Sequence, residues 1–301
     1  MRKTMYHFRY HVLTIAGIFL SLGIGMFLGT VMAPEWMTKQ QAGILQRLES
    51  RYHSLLEQQH VLQEKTDQLE KESSSTKHEL RAVESHYIAN RLSGKHILVI
   101  SVTSVDTSEM IESLREAGAE ITWNVQVSQL GALLNNALNE EQVSALGWSK
   151  DCSQSELYVN SLVNDLLSGN ETHLQSLERL GLLEIMQHAA GQPDHVILAG
   201  GTYSADSSQW RAGVRQFDQL LIRAFVRRQL PIVTAERSDS KEMFAKWFPE
   251  YPISTIDNID HPAGQIALID VLNGAHGHYG TKAVAKTLLP DGKMSKEVFG
   301  Q

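Results

Sequence analysis

A long segment near the start of the chain contains no charged residue. Residues 12–32 read VLTIAGIFLSLGIGMFLGTVM and contain no ionisable side chain. A helix needs about 20 apolar residues to cross the hydrocarbon core of a bilayer, which is more than a buried helix of a soluble protein usually carries. The pattern therefore predicts a transmembrane helix over residues 12–32, preceded by a short flank over residues 1–11.

Small residues recur at every fourth position of this segment. They are Gly17, Ser21, Gly25 and Gly29, and in a helix they lie on one face. Such a face lets two membrane helices approach closely, although glycine is frequent in membrane helices in any case. We expect this face to be a packing surface between two copies of the helix.

The charges around the apolar segment predict its orientation. Arg2, Lys3 and Arg9 precede it and no acidic residue does. By the positive-inside rule the amino terminus is cytoplasmic and the bulk of the chain is outside the cell membrane, as in a single-pass protein. A cleaved signal peptide is the alternative, because Val31-Met32-Ala33 resembles a cleavage site. The apolar run is longer than the roughly 7–15 residues of the apolar core of a signal peptide. A size measurement on the mature protein distinguishes a retained helix from a cleaved one.

Residues 35–92 have the pattern of a long helix with a heptad repeat. Gly43 is the one glycine in this segment, which contains no proline. Apolar residues sustained at positions a and d predict a coiled coil. Charges at flanking positions, Lys65 with Glu70 and Glu72 with Lys77, favour two parallel chains. The prediction is a coiled-coil stalk in a parallel homodimer or higher oligomer; a single helix packed on its own domain is the alternative. The predicted core residues are Leu45, Leu48, Tyr52, Leu55, Leu62, Leu69, Leu80 and Val83.

Residues 95–301 alternate between short apolar runs and helical spacing. The runs HILVISV at 96–102 and HVILAGG at 195–201 are typical of strands buried on both faces. The alternation predicts an extracytoplasmic α/β domain with a mostly parallel, Rossmann-like sheet. The predicted strands are 96–102, 120–127, 195–199, 230–235 and 253–256, and the predicted helices are 106–117, 130–146, 156–167, 172–189, 211–228, 241–247 and 264–272.

Composition narrows the classes of function. The net charge is -7 and the pI is about 6.0, so the chain has no basic field for nucleic acid. Cys152 is the single cysteine, which excludes an intrachain disulfide. The chain contains no phosphate-binding glycine motif and no recognised nucleophile motif. We expect a protein without enzymatic activity.

Two groups of residues follow predicted strands directly. Gly200 and Gly201 follow one strand, and Asp257, Asn258 and Asp260 follow another. The carboxyl ends of parallel strands are where open α/β sheets form ligand clefts, so these five residues are the candidate cleft. The alternative is turn chemistry, in which Asp and Asn bond to nearby backbone and Gly supplies a positive φ.

Two stretches resemble a known family. They are FRYHVLTIAGIFLSLGIGMFLGT at 8–30 and STIDNIDHPAGQIALIDVLNGAHGHYG at 254–280. With the coiled coil between them, they are similar to the bacterial MctB family, whose members are described as copper transporters. The resemblance implies an envelope protein of copper transport or homeostasis. A corynebacterial member is thought to act in control of a cell-wall hydrolase, so the resemblance also implies an alternative: a non-enzymatic scaffold that binds an envelope protein partner.

If the protein binds copper, its histidines are candidate ligands, since imidazole is a ligand for Cu(II). The densest group is His261, His276 and His278, which we take as the candidate metal ligands, with copper as the candidate cofactor. The alternative is that these are loop histidines with local hydrogen bonds. One helix per chain encloses no pore, so we expect an oligomeric or accessory role in copper transport.

Overall fold

The computed structural model describes residues 4–31, 35–148, 153–202, 206–241, 244–285 and 287–290. Cys152 and Met32 lie outside these residues. The chain divides into two compact units, Met1–Ser73 and Ser74–Gln301. Helix α2 spans Glu35–Ile88, so its residues from Ser74 onward belong to the second unit.

The first unit contains one strongly apolar helix. Helix α1 spans Thr4–Val31, and its segment Tyr10–Val31 is strongly apolar. By length and composition this 22-residue segment is able to cross a membrane. A Cβ added at Gly17, Gly25 or Gly29 would meet no atom within 4 Å. Ser21 donates its hydroxyl to the carbonyl of Ile18 at 2.9 Å.

The predicted core residues of the coiled coil line an uncovered face in a single chain. Leu55, Leu62 and Leu69 are 63%, 64% and 64% exposed. Exposing large apolar side chains to water is unfavourable, since fully burying one contributes roughly 1.5–3 kcal/mol. The remaining members of the predicted core are also exposed, namely Leu45, Leu48, Tyr52, Leu80 and Val83.

The second unit is built on a seven-stranded sheet with the order β3-β2-β1-β4-β5-β6-β7. Strand β3 is antiparallel to β2, and the other neighbouring pairs are parallel. The mostly parallel α/β sheet is therefore confirmed. The strands are β1 (His96–Ser101), β2 (Glu120–Val127), β3 (Leu183–His188), β4 (His195–Gly200), β5 (Ile232–Glu236), β6 (Ser254–Ile256) and β7 (His278–Tyr279).

Helices cover both faces of the sheet. The end of α2, helix α3 (Ser108–Glu116) and helix α10 (Pro262–Leu272) pack on one face around Leu114 and Ile269. The helices that lie between α3 and α10 in the chain pack on the opposite face around Tyr158 and Phe217. These four side chains are fully buried. The helices are α3 (Ser108–Glu116), α4 (Leu130–Leu134), α5 (Glu140–Leu146), α6 (Gln154–Ser168), α7 (Glu171–Arg179), α8 (Ser208–Val226), α9 (Phe244–Trp247) and α10 (Pro262–Leu272).

The prediction of one helix over residues 172–189 is wrong. The structure has helix α7 followed by the antiparallel edge strand β3. Gly181, with φ of +70°, lies between them in a backbone conformation that favours glycine. In β3 the exposure of side chains alternates along the strand, which is the period of a half-buried edge.

The prediction of one helix over residues 130–146 is also wrong, because the structure has two short helices there. Asn136 adopts a positive φ of +51°, which ends the first helical segment. Asn139 then caps α5 with its side chain, which accepts a hydrogen bond from the backbone N–H of Gln142. The five predicted strands are present, and β3 and β7 are additional.

Candidate functional site

The carboxyl edge of the sheet holds the candidate cleft residues. Gly200 ends β4, and Gly201 follows with φ of +129°. A Cβ at Gly201 would lie 2.6 Å from the hydroxyl oxygen of Ser240. Thr103 donates its hydroxyl to the carbonyl of Gly201 at 3.1 Å. The glycine therefore permits the loop after β5 to pack closely on the end of β4.

A buried ion pair lies beside this loop, at the end of β5. The Glu236 side chain is 1% exposed, and its Oε2 lies 3.2 Å from the Nζ of Lys282. Ser240 donates its hydroxyl to the same oxygen at 2.9 Å, and Phe244 donates its backbone N–H to Oε1 at 3.1 Å. Burial raises the pKa of Glu236, and Lys282 opposes that shift. Sequence reasoning missed this pair, because its members are 46 residues apart.

Asp257 organises the turn that follows β7. Its Oδ1 accepts the backbone N–H of Thr281 at 2.7 Å, and its Oδ2 accepts that of Lys282 at 3.0 Å. A Cβ at Gly280, where φ is +138°, would lie 1.9 Å from Asp257 Oδ1. The carboxylate of Asp257 therefore packs directly against this turn. Its hydrogen bonds hold the backbone that leads to Lys282.

Asp260 and Asn258 complete the predicted group. Asp260 accepts the backbone N–H and the hydroxyl of Ser238 at 2.8 and 2.7 Å. Burial alone would raise the pKa of Asp260, but the hydrogen bonds from Ser238 lower it. The backbone carbonyl of Asn258 lies against Gly264 at the start of α10. The carboxylates of Asp257 and Asp260 thus form hydrogen bonds with groups of the chain itself. This is what the alternative of turn chemistry predicts for these residues.

An open crevice of about 480 Å³ lies where the strand order reverses, between the carboxyl ends of β1, β2 and β4. Ligands of open α/β sheets commonly bind at this position. Gly201 is the one predicted cleft residue in its wall. The other polar or aromatic members of the wall, which sequence reasoning missed, are Thr103, Ser104, Gln126, Ser128, Gln129, Asp206 and Trp210.

Two of the helices that begin near this crevice, α3 and α8, have a backbone N–H of their first turn bonded to a side chain of the preceding residues. Asp106 accepts the backbone N–H of Ser108 at 3.0 Å at the start of α3. Ser207 accepts the backbone N–H of Trp210 at 3.1 Å at the start of α8. No lysine or arginine is among the described residues that line the crevice. Its wall is a polar surface with one carboxylate, that of Asp206, and one indole, that of Trp210.

The three candidate metal ligands do not all lie at the same edge of the sheet. His261 precedes α10 at the carboxyl edge, where its Nε2 lies 3.7 Å from Asp260 Oδ2. His278 begins β7, with its Nδ1 3.0 Å from the hydroxyl of Thr255. His276 precedes β7 and lines a crevice of about 330 Å³ at the amino ends of the strands, together with His195. Within the part of the chain that the structure describes, no group of three or more His, Cys, Asp or Glu is placed to hold a metal ion.

Replacing Lys282 with methionine is expected to lower the free energy of unfolding by about 1–3 kcal/mol, the cost of an unsatisfied buried polar group. The carboxylate of Glu236 would keep its bonds from Ser240 and Phe244 but lose its cation. Its pKa would rise further, so the loss is larger at pH 8 than at pH 5. Urea unfolding at both pH values measures it.

The control is Lys241→Met, which removes an exposed lysine from the same region. Combining Lys282→Met with Glu236→Gln is expected to restore part of the stability, because the buried charge is then absent. Equal losses in the two lysine variants would contradict the assignment of this ion pair.

Comparison with known proteins gives one family and a small group of relatives. The family model described as "Copper transport outer membrane protein, MctB" matches residues 5–290. The chain is also similar to proteins named "Copper transporter MctB" from Mycobacterium bovis and Mycobacterium tuberculosis. Each is 24% identical to it over 317 aligned positions, which cover 92% of this chain and 96% of the relative. Because the family model spans nearly the whole chain, from the apolar helix to the turn after β7, this protein belongs to the MctB family.

Proposed function

We propose that this protein is a membrane-anchored envelope component that takes part in copper transport or homeostasis. The observation that carries the proposal is the family match over residues 5–290, which includes both compact units. The relatives are named copper transporters, and the alignment with them covers 92% of the chain. In this proposal α1 is retained as a single transmembrane anchor, with the amino terminus in the cytoplasm and the second unit outside.

The role in transport is accessory or oligomeric, and the protein has no enzymatic activity. A single apolar helix per chain encloses no water-filled path, so copper does not pass through one copy alone. The second unit is a Rossmann-like domain whose buried carboxylates at the carboxyl edge bond to backbone, hydroxyl and lysine groups of the same chain. That arrangement supports a binding or structural role over chemistry at this edge.

Two copies associate in parallel through α1 and α2. The exposed heptad face of α2 supports this part of the proposal, because its leucines need a cover that a single chain does not supply. The stripe of Gly17, Ser21, Gly25 and Gly29 offers a second contact at the same end of the dimer. Both chains are anchored in one membrane at the same end, which requires parallel helices.

Growth of a deletion strain on copper tests the proposal. We expect increased copper sensitivity or altered copper content in the deletion strain, restored by the intact gene. A normal copper response together with a defect in division or wall lysis would contradict it. That result would favour the second candidate, a scaffold that binds an envelope protein to control a wall hydrolase, for which the uncovered heptad face also argues.

Copper is expected to bind the second unit through His276 and His278. Losing both imidazoles should weaken copper affinity by at least about tenfold. Mutating even a residue that only bonds to a metal ligand typically lowers metal affinity roughly 10–100-fold. Titration of the full chain in detergent with Cu(II) measures this in the double alanine variant. His188→Ala is the control, because His188 stacks on Trp123 away from the candidate ligands. Unchanged affinity in the double variant would reject this copper site.

A further inference from the structure

A buried carboxyl group joins three helices on one face of the sheet. Glu84 is on the part of α2 that belongs to the second unit and is 1% exposed. Its Oε1 lies 2.8 Å from the hydroxyl oxygen of Ser113 on α3. The same hydroxyl oxygen lies 2.7 Å from Oε1 of Gln265 on α10. Ser113 therefore connects α2 to α10 through two short contacts.

These two contacts can both be hydrogen bonds only if the carboxyl group of Glu84 carries a proton. A serine hydroxyl has one hydrogen and donates to one acceptor. The Gln265 amide is oriented by its Nε2, which donates to the carbonyl of Ile259 at 2.9 Å, so its Oε1 is the acceptor that faces Ser113. An ionised carboxylate is also only an acceptor. Both contacts are hydrogen bonds only when Glu84 is neutral and donates to Ser113 while Ser113 donates to Gln265.

The surroundings favour the neutral form. Burial raises the pKa of Glu84 to about 7, in spite of the opposing effects of Ser113 and Arg81. Glu116 and Glu109 of α3 act in the same direction as burial and contribute to this value. Oε2 of Glu84 is buried and makes no hydrogen bond within the described structure.

Several other charged or polar groups lie near the carboxyl group of Glu84. Arg81 lies 3.8 Å from both Glu109 and Glu112, so its charge is shared with acidic groups of α3. His78, Glu112 and Glu116 line a groove of about 230 Å³ that also includes Glu84. The group of α10 that faces the site is the neutral amide of Gln265.

We propose that Glu84 is a proton-operated latch: its neutral carboxyl fastens the end of α2 to α3 and α10, and its ionisation loosens that end. When the proton leaves, Glu84 and Gln265 compete for the single hydroxyl hydrogen of Ser113. One of the two contacts is then lost, and a buried carboxylate remains with an unbonded oxygen. The affected segment is the part of α2 from Ser74 to Ile88.

The direction of the pH effect follows from the two states of Glu84. The ordinary pKa of its carboxyl is 4.5, and the folded value is about 7. The folded form therefore keeps a proton that the loosened form releases between these values. The stabilising contribution is fully present below pH 4.5, declines as the pH rises through this window, and is lost above pH 7.

Hydrogen–deuterium exchange of the full chain in detergent tests the latch. After correction for intrinsic exchange, we expect the opening equilibrium of residues 74–88 to rise about tenfold from pH 6 to pH 8 in the wild type. In E84Q the side-chain amide donates to Ser113 at every pH, so this rise should be absent. The control E79Q removes an exposed carboxylate from the same segment of α2 and should keep the rise. A flat wild-type profile, or the same rise in E84Q, would overturn the proposal.

A direct titration of the wild type covers the case in which E84Q does not fold. Carbon-13 NMR of labelled glutamate carboxyls, with Glu84 assigned, should show one midpoint near pH 7. A midpoint for Glu84 below about pH 5, the range of an ordinary glutamate, would overturn the latch without any variant.

Discussion

Replacing Gly264 with alanine is expected to destabilise the second unit by more than about 4 kcal/mol, a loss that only a few mechanisms produce. A Cβ at this position would lie 2.1 Å from the carbonyl oxygen of Asn258 and 2.6 Å from its carbonyl carbon. These are backbone atoms, so no rotation of a flexible side chain relieves the overlap. The first turn of α10 would have to move away from the end of β6.

The size of the effect follows from the burial of α10. Ile266, Leu268 and Ile269 are at most 4% exposed and pack on the sheet together with the end of α2. Shifting the helix would expose apolar surface that contributes about 25 cal/mol per Å². It would also disturb Gln265, whose side chain bonds to Ser113 and Ile259. Thermal and urea unfolding of the full chain in detergent measure the loss.

Gly131→Ala provides the matched control in the same unit. Gly131 is also helical, and a Cβ there would meet its nearest atom, on Trp210, at 3.9 Å. The substitution is expected to be neutral or to stabilise by up to about 1 kcal/mol, because alanine favours helix over glycine. Similar stabilities of the two alanine variants would show that the contact with Asn258 does not require glycine.

Replacing Leu55, Leu62 and Leu69 together with alanine is expected to raise the dissociation constant of the proposed dimer at least about a thousandfold. Each leucine is more than 60% exposed in the single chain. Burial of each in a parallel coiled coil would contribute roughly 1.5–3 kcal/mol, and every 1.4 kcal/mol is a tenfold change. Sedimentation of the full chain in detergent at a series of concentrations measures the constant.

Exposed leucine and valine outside the heptad core provide the control for this variant. Leu56 and Val61 are both 44% exposed and lie at positions e and c of the repeat. Their replacement by alanine should change the dissociation constant by less than about tenfold, because they do not lie in the seam. Association that persists through α1 is measured by adding Gly25→Ile to the triple variant. A wild-type chain that is monomeric at every concentration would reject the dimer.

Local periodicity was sufficient for much of the fold. The predicted strand 120–127 is confirmed with the same bounds as β2, because its apolar residues are buried wherever the strand lies in the sheet. The strands β1 and β4 are confirmed for the same reason. Pattern alone failed at residues 183–188, since LEIMQH fits a helix and an edge strand about equally. Antiparallel pairing with β2 makes this segment a strand. The two strands are far apart in the sequence, so a local pattern does not reveal the pairing.

The positions of the candidate cleft residues were partly predictable in the same way, and their role as a cleft stays a prediction. The rule that polar loops follow buried strands placed Gly201, Asp257 and Asp260 at one edge of the sheet, and the structure places them there. The rule does not say which groups they bond to. Lys282 reaches Glu236 because Asp257 holds the backbone of the turn after β7, and no local pattern contains that information.

By itself the sequence determined the apolar helix, the long heptad helix, the alternation of strands and helices, and the family resemblance, because each is a periodic or contiguous feature of the chain. Only the tertiary structure decided that Glu84 and Gln265 both contact the hydroxyl of Ser113. These residues come from three helices, and Ser113 and Gln265 are 152 residues apart. The protonation of a buried carboxyl depends on what packs against it, and that is a property of the folded core.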